Sequence, residues 1–214
     1  QAVMQRAIAL LVPRSAGEAA AFGELLDRGL ERGEDSLLLR LCLQSLWDQI
    51  REGALTASAH GSELFAPELR SRLGRLVSGG ETAGTLALAI LTAWNEPSAR
   101  ERAGQIVRDA NQRLELRQRM LLALGITRAA DIIELCGAIL RSPTEPVELK
   151  RQALGALQGL DEPAVAPLLI ETWPGLPGEL RPAVIGVLCS RSGWAERMLQ
   201  AIEAGHIPKT ELNT

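Results

Sequence analysis

Glu148-Leu149-Lys150-Arg151-Gln152-Ala153-Leu154-Gly155-Ala156-Leu157 is answered 31 residues on by Glu179-Leu180-Arg181-Pro182-Ala183-Val184-Ile185-Gly186-Val187-Leu188. The same frame stands 33 residues earlier, as Glu115-Leu116-Arg117-Gln118-Arg119-Met120-Leu121-Leu122-Ala123-Leu124. Each copy opens with an acid, a leucine and a basic residue. Apolar side chains then recur at three- and four-residue spacing, which places them on one face of a helix. Three copies at nearly constant separation exceed what helical composition alone produces, so they mark an internal repeat. Glu68-Leu69-Arg70, after Pro67, reads as a diverged fourth copy, 47 residues before Glu115. Equivalent positions should face the same core, and Leu154 and Ile185 are therefore expected to be buried alike.

Outward from this frame the helical spacing continues nearly everywhere, and breakers cut the chain into short helices. Pro13 closes a first helix, and Ser15-Ala16-Gly17-Glu18 has the form of a capping box for a second. Asp35 and Ser36 can cap a third, which runs to about Arg51 and ends at Gly53. Pro67 opens another and Gly79-Gly80 stops it. Glu81-Thr82 begins an apolar segment reaching Trp94, and Pro97 starts a charged helix to about Ala110. Further helices are predicted at about 115–124, 128–141, 146–159, 162–173, 178–190 and 193–204. The expectation is all-α: about a dozen short helices in an α-α superhelix, treated as a single domain over 1–214 with its clearest repeats at 115–204.

Composition agrees. Hydrophobic residues make up 46% of the 214 and aromatics only 3%, with no Tyr, so the core must be Ala, Leu, Ile and Val in closely packed helices. The absence of Tyr argues against tetratricopeptide repeats, and the ankyrin TPLH signature is absent as well. An acid-Pro turn (Asp161-Glu162-Pro163), a first helix, a second turn and a second helix opening on Leu-Arg or Leu-Lys resemble HEAT repeats. That resemblance implies that Asp161, Arg117, Lys150 and Arg181 are structural ladder residues bonding within and between repeats.

The stretch from Thr144 to Asn213 resembles a narrower group. Pro146-Val147-Glu148-Leu149-Lys150, Leu160-Asp161-Glu162-Pro163-Ala164-Val165-Ala166-Pro167, Trp173-Pro174-Gly175-Leu176, Gly193-Trp194 and Ala201-Ile202-Glu203-Ala204-Gly205-His206-Ile207-Pro208 are similar to the HEAT segment of planctomycete-type multidomain proteins. These join a sugar-dehydrogenase-like β-propeller, the helical segment and a c-type cytochrome. The match is good over about the last third of the chain. It implies an extracytoplasmic, periplasmic-type spacer or protein-interaction scaffold whose partners are neighbouring domains of the same chain or another protein. A chain opening on Gln1 fits a fragment of such a protein. Haem c is expected only in a downstream domain, because the cysteine-pair-histidine attachment motif does not occur here.

Catalytic and cofactor motifs are not found, and the expectation is a non-enzyme. No nucleophile elbow or phosphate loop is present. Cys42, Cys136 and Cys189 are widely spaced in apolar contexts and are expected to be buried thiols. His60 reads as a loop residue and His206 as a helix C-terminal residue favoured by the helix dipole. Glu203 and His206, three apart, would need further partners to hold zinc, which leaves a metal-dependent enzyme as a remote alternative. The longest apolar run, about Ala83 to Trp94, is too short for the roughly 20 residues of a membrane span.

The polar stretch 100–119 offers Arg102, Arg108 and Arg113 as a candidate interaction surface. An arginine stripe on a helical array could hold DNA phosphates, as in HEAT-like alkylation-repair glycosylases. Glu101, Asp109 and Glu115 interrupt it, and the formal charge is -3, so i,i+4 ion pairs on a solvated face are the expected arrangement and nucleic acid is not the expected partner. Trp47, Trp94, Trp173 and Trp194 fall near helix ends, where packing between helices is expected.

Overall fold

The structure, a computed structural model, describes residues 16–33, 36–53, 67–77 and 81–210. Every regular element among them is helical: α1 (Ala16–Glu31), α2 (Leu37–Arg51), α3 (Pro67–Leu76), α4 (Glu81–Ala93), α5 (Pro97–Arg108), α6 (Leu114–Ile126), α7 (Ile132–Arg141), α8 (Val147–Gln158), α9 (Val165–Thr172), α10 (Arg181–Cys189) and α11 (Ser192–Glu203). Short 3-10 turns, Trp173–Gly175 and Gly178–Leu180, lie between α9 and α10. The sequence-based boundaries hold to within a few residues. The readings that rest on Pro13, Ser15, Asp35, His60, and Gly79-Gly80 lie outside the described residues.

The helices fall into two compact units, 1–103 and 104–214, with the border inside α5. In the first unit α1 packs on α2, α2 on α4, and α3 on α4. Ser36 caps α2: its hydroxyl accepts from the Leu39 N–H at 3.2 Å and donates to the Gly29 carbonyl of α1 at 2.8 Å. Gly29 allows this approach, since a Cβ there would sit 3.0–3.1 Å from the backbone and Cβ of Leu39. Asp27 of α1 receives a bidentate pair from Arg72 of α3 at 2.8 and 2.9 Å. The buried Thr92 hydroxyl reaches both the Leu88 and Ala99 carbonyls, joining α4 to α5. Asn95 ends α4 with φ 63, the left-handed cap that frees the Glu96 N–H to reach the Leu91 carbonyl.

In the second unit the packing is regular. The even helices α6, α8 and α10 pack successively on one another, and the odd helices α7, α9 and α11 do the same. Crosswise, α7 packs on α8, α9 on α10 and α10 on α11. The reason is visible in the repeat frame. Met120, Ala153 and Val184 are buried at one equivalent position, Ala123, Ala156 and Val187 at a second, and Leu124, Leu157 and Leu188 at a third. The diverged copy in α3 keeps part of this face, with Leu69, Leu73 and Leu76 buried.

Two expectations fail. Leu154 is buried, but its equivalent Ile185 is only half-buried, and the packing of α10 is carried by Val184, Val187 and Leu188. Cys189, expected to be buried, is exposed at the end of α10. Its equivalent in α8 is Gln158, also exposed, so the repeat frame outweighs the apolar neighbours as a guide. Cys42 and Cys136 are buried as expected.

Candidate interaction site

Arg117, Lys150 and Arg181 occupy equivalent places near the starts of α6, α8 and α10. Arg117, on α6, turns its guanidinium inward: Nε donates to the Val107 carbonyl at 2.9 Å and Nη2 to Glu145 Oε1 at 2.6 Å. Lys150, its equivalent on α8, is only 3% exposed, yet among the described residues no hydrogen bond or ion pair holds its ammonium. Arg181, the equivalent on α10, lies over the Trp173 ring at 5.6 Å from its centroid. Asp161 does not meet any of these three. It accepts from Arg191 Nε at 3.1 Å, while Arg191 Nη1 donates to the Gln158 carbonyl at 3.1 Å and the same guanidinium covers the Trp194 ring at 4.3 Å.

A second pair follows the same logic. Arg141 of α7 forks onto Glu171 of α9, with Nε to Oε1 at 3.0 Å and Nη2 to Oε2 at 3.1 Å. Arg117–Glu145, Arg141–Glu171 and Asp161–Arg191 thus join residues 28, 30 and 30 apart, close to one repeat. Glu145, Arg141, Glu171 and Arg191 were not singled out in the sequence. The recurring separation of opposite charges by about one repeat was the signal that could have found them. Arg141 donating to it holds the Glu171 carboxyl below the usual carboxylate range.

Of the arginines in the polar stretch, Arg102, Arg108 and Arg113 are exposed, but Arg102 and Arg108 are arranged differently from the expected lacing. Arg102 and Arg108 share α5, and six residues of helical rotation separate them by about 120°, so they do not form one stripe. Neither has an ion-pair partner among the described residues. Asp109 accepts instead from Gln112 Nε2 at 2.9 Å and from the Asn111 backbone N–H and side-chain amide at 3.0 and 3.1 Å. These bonds, that from Gln112 foremost, pull its carboxyl below the usual range. The acid closes the α5–α6 turn rather than pairing an arginine. Arg113, at the N-terminal boundary of α6, is exposed.

A groove opens between α9 and α11, with a volume of about 760 Å³. Pro167, Ile170 and Pro174 form one wall, Ala201 and Ala204 the other, and Glu171, Arg197, Gln200 and His206 add polar groups. His206 reaches it because α11 ends in a Schellman motif. Gly205, at φ +80, donates to the Ile202 carbonyl, and the His206 N–H turns back to the Ala201 carbonyl at 2.8 Å. His206 therefore lies beyond the helix, on the groove, rather than within its last turn.

Among the described residues no three His, Cys, Asp or Glu side chains gather as a metal site, and no helix is long and apolar enough to cross a membrane. No family model, curated protein or solved structure matches the chain.

Proposed function

We propose that this chain is a HEAT-like α-α superhelix acting as a non-catalytic scaffold or protein-interaction spacer, and that it serves an exported multidomain redox protein of the planctomycete cytochrome c type. The observation that carries the scaffold reading is the coincidence of three buried positions in α6, α8 and α10 with the successive packing of those same helices. Units that bury the same face against the next unit are stacked elements of an array, and such arrays present surfaces rather than enclose reaction centres. Arg117, Lys150, Asp161 and Arg181 are its ladder residues, of which Arg117 bonds Glu145 and Asp161 bonds Arg191, with Arg141–Glu171 as a further pair about one repeat apart.

The exported redox context rests on the resemblance of 144–213 alone. Its partners would be the neighbouring domains of the same polypeptide or another protein. None of the three cysteines stands in a haem-attachment motif, so covalent haem would have to belong to another part of the polypeptide. The test is to tag the gene in its native cell, fractionate, and stain the denatured polypeptide for haem. Export with covalently bound haem is expected. A cytoplasmic polypeptide without haem would remove the redox context.

A further inference from the structure

The two oppositely charged side chains lining the groove between α9 and α11, Glu171 and Arg197, differ in how they are satisfied. Glu171 is its one lining carboxylate, and both of its oxygens are taken by Arg141. Arg197 on the opposite wall is exposed, and among the described residues no carboxylate pairs with it. Glu196 and Glu203 share its helix but do not line the groove. What remains is a cationic arginine, with Gln200 and His206 nearby as further hydrogen-bonding groups, beside the apolar lining of Ile170, Pro174 and Ala201. Its volume of about 760 Å³ falls in the roughly 300–1,000 Å³ range in which apolar walls and a few polar groups together fix a ligand.

We propose that this groove docks a short acidic peptide segment of a partner protein, one or two bulky apolar side chains seated on Ile170, Pro174 and Ala201 and a flanking carboxylate on Arg197. This deepens the interaction-module reading and rests on it. The apolar lining supplies affinity by removing surface from water, and the guanidinium, without a carboxylate partner among the described residues, supplies the preference for an acid, since arginine forks onto carboxylates through two parallel hydrogen bonds. A basic segment would meet Arg197 without a counter-charge, because Glu171 is already neutralised by Arg141.

The probe is a fluorescein-labelled hexapeptide, Glu-Glu-Leu-Ile-Glu-Glu, titrated with the 214-residue chain by fluorescence polarisation at low salt. Two control peptides replace all glutamates by lysine, or leucine and isoleucine by alanine. Arg197→Glu and Ala204→Glu change exposed groove residues, and Arg151→Gln, at an exposed position of α8 that does not line the groove, serves as a control. Thermal melting establishes that each variant is folded. Saturable binding of the acidic peptide is expected, weakened at least ten-fold by Arg197→Glu and Ala204→Glu, unchanged by Arg151→Gln, and absent for both control peptides. No binding by the folded parent, equal binding of the lysine peptide, or equal losses in all three variants would overturn the proposal. So would self-association of the parent, followed by sedimentation velocity, that Arg197→Glu abolishes, since a second copy would then be the occupant. Failure here leaves the stacked-repeat scaffold standing, because that is read out separately by folding after excision of one repeat.

Discussion

Arg117 Nη2 and Glu145 Oε1 lie 2.6 Å apart, with the arginine side chain 4% and the glutamate side chain 15% exposed. The Glu145 carboxylate and the Val107 carbonyl compensate a guanidinium held this far from water. Glu145→Ala strips the counter-charge and leaves a buried guanidinium. It should cost about 3–5 kcal/mol, the usual result of breaking a buried pair from one side. Arg117→Met, which removes the charge while keeping volume, should cost less. Chemical denaturation of both variants checks the order, and a milder loss for Glu145→Ala would refute it.

The Arg141–Glu171 pair is the exposed counterpart, with side chains 48% and 64% open to solvent. Solvent screens such pairs, so Glu171→Gln should shift the melting temperature only slightly at neutral pH. The sign of its pH dependence follows from the lowered Glu171 carboxyl, held down chiefly by the hydrogen bond from Arg141. Its contribution is present above the ordinary carboxylate range and is lost as pH falls through the lowered folded value. The difference between parent and variant should shrink in acid. A difference that grows there would contradict the geometry.

The thiols separate cleanly. Burial pushes Cys42 up to about 11 and Cys136 up to about 12, whereas Cys189 is exposed. The thiolate is the reactive form, so a maleimide should label one cysteine in the folded protein at neutral pH and three after denaturation. Raised folded values also mean that the unfolded chain ionises first. These two groups favour the folded state fully below about pH 9 and progressively less as pH rises toward their folded values. Fast native labelling of two or more thiols would show that α2 or α7 is misplaced.

Leu154→Asp buries an unpaired carboxylate at a position 2% exposed and should cost about 4 kcal/mol or more. Val184→Asp should be similarly severe, since Val184 is fully buried. Ile185→Asp should be milder, because that side chain already meets solvent. Melting curves of the three rank them. An Ile185 variant as damaged as the Leu154 variant would restore the original sequence register.

How much was legible in the sequence follows from these positions. Helices announced themselves through periodicity and through breakers such as Gly53 and Pro97, and the frame shared by Met120, Ala153 and Val184 located the buried face. The partial exposure of Ile185 was not legible, because an apolar residue at helical spacing carries no record of which side its neighbours take. The ladder was half legible. Arg117 was marked by the repeat, but Glu145 sits in a turn with no pattern of its own, and Asp161 pairs with Arg191 rather than with a helix-opening base. The groove was illegible, since it arises from the Schellman turn at Gly205 and the spacing of α9 from α11.

The arginines at 102, 108 and 113 should be dispensable. Replacing all three with Gln should change stability little, because Arg102, Arg108 and Arg113 are exposed. Duplex DNA binding at low salt should be undetectable for parent and variant alike, given the slightly acidic chain and the rotation of Arg102 away from Arg108. Tight, salt-sensitive binding that the triple variant loses would favour a nucleic-acid array instead.

The account stands most directly on the equivalence of α8 and α10 as successive members of one array. Excising residues 148–178 removes one 31-residue repeat and joins Val147 to Glu179, so that the α10 frame follows α7 where the α8 frame stood. A stack held by nearest-neighbour interfaces should close over the excision, keeping a helical circular dichroism spectrum and a cooperative thermal transition. Excising 148–163, about half a repeat, should abolish both within the second unit because odd and even helices exchange places. Retention of cooperativity in the first and its loss in the second is the predicted result; loss of folding in both would contradict the repeat architecture.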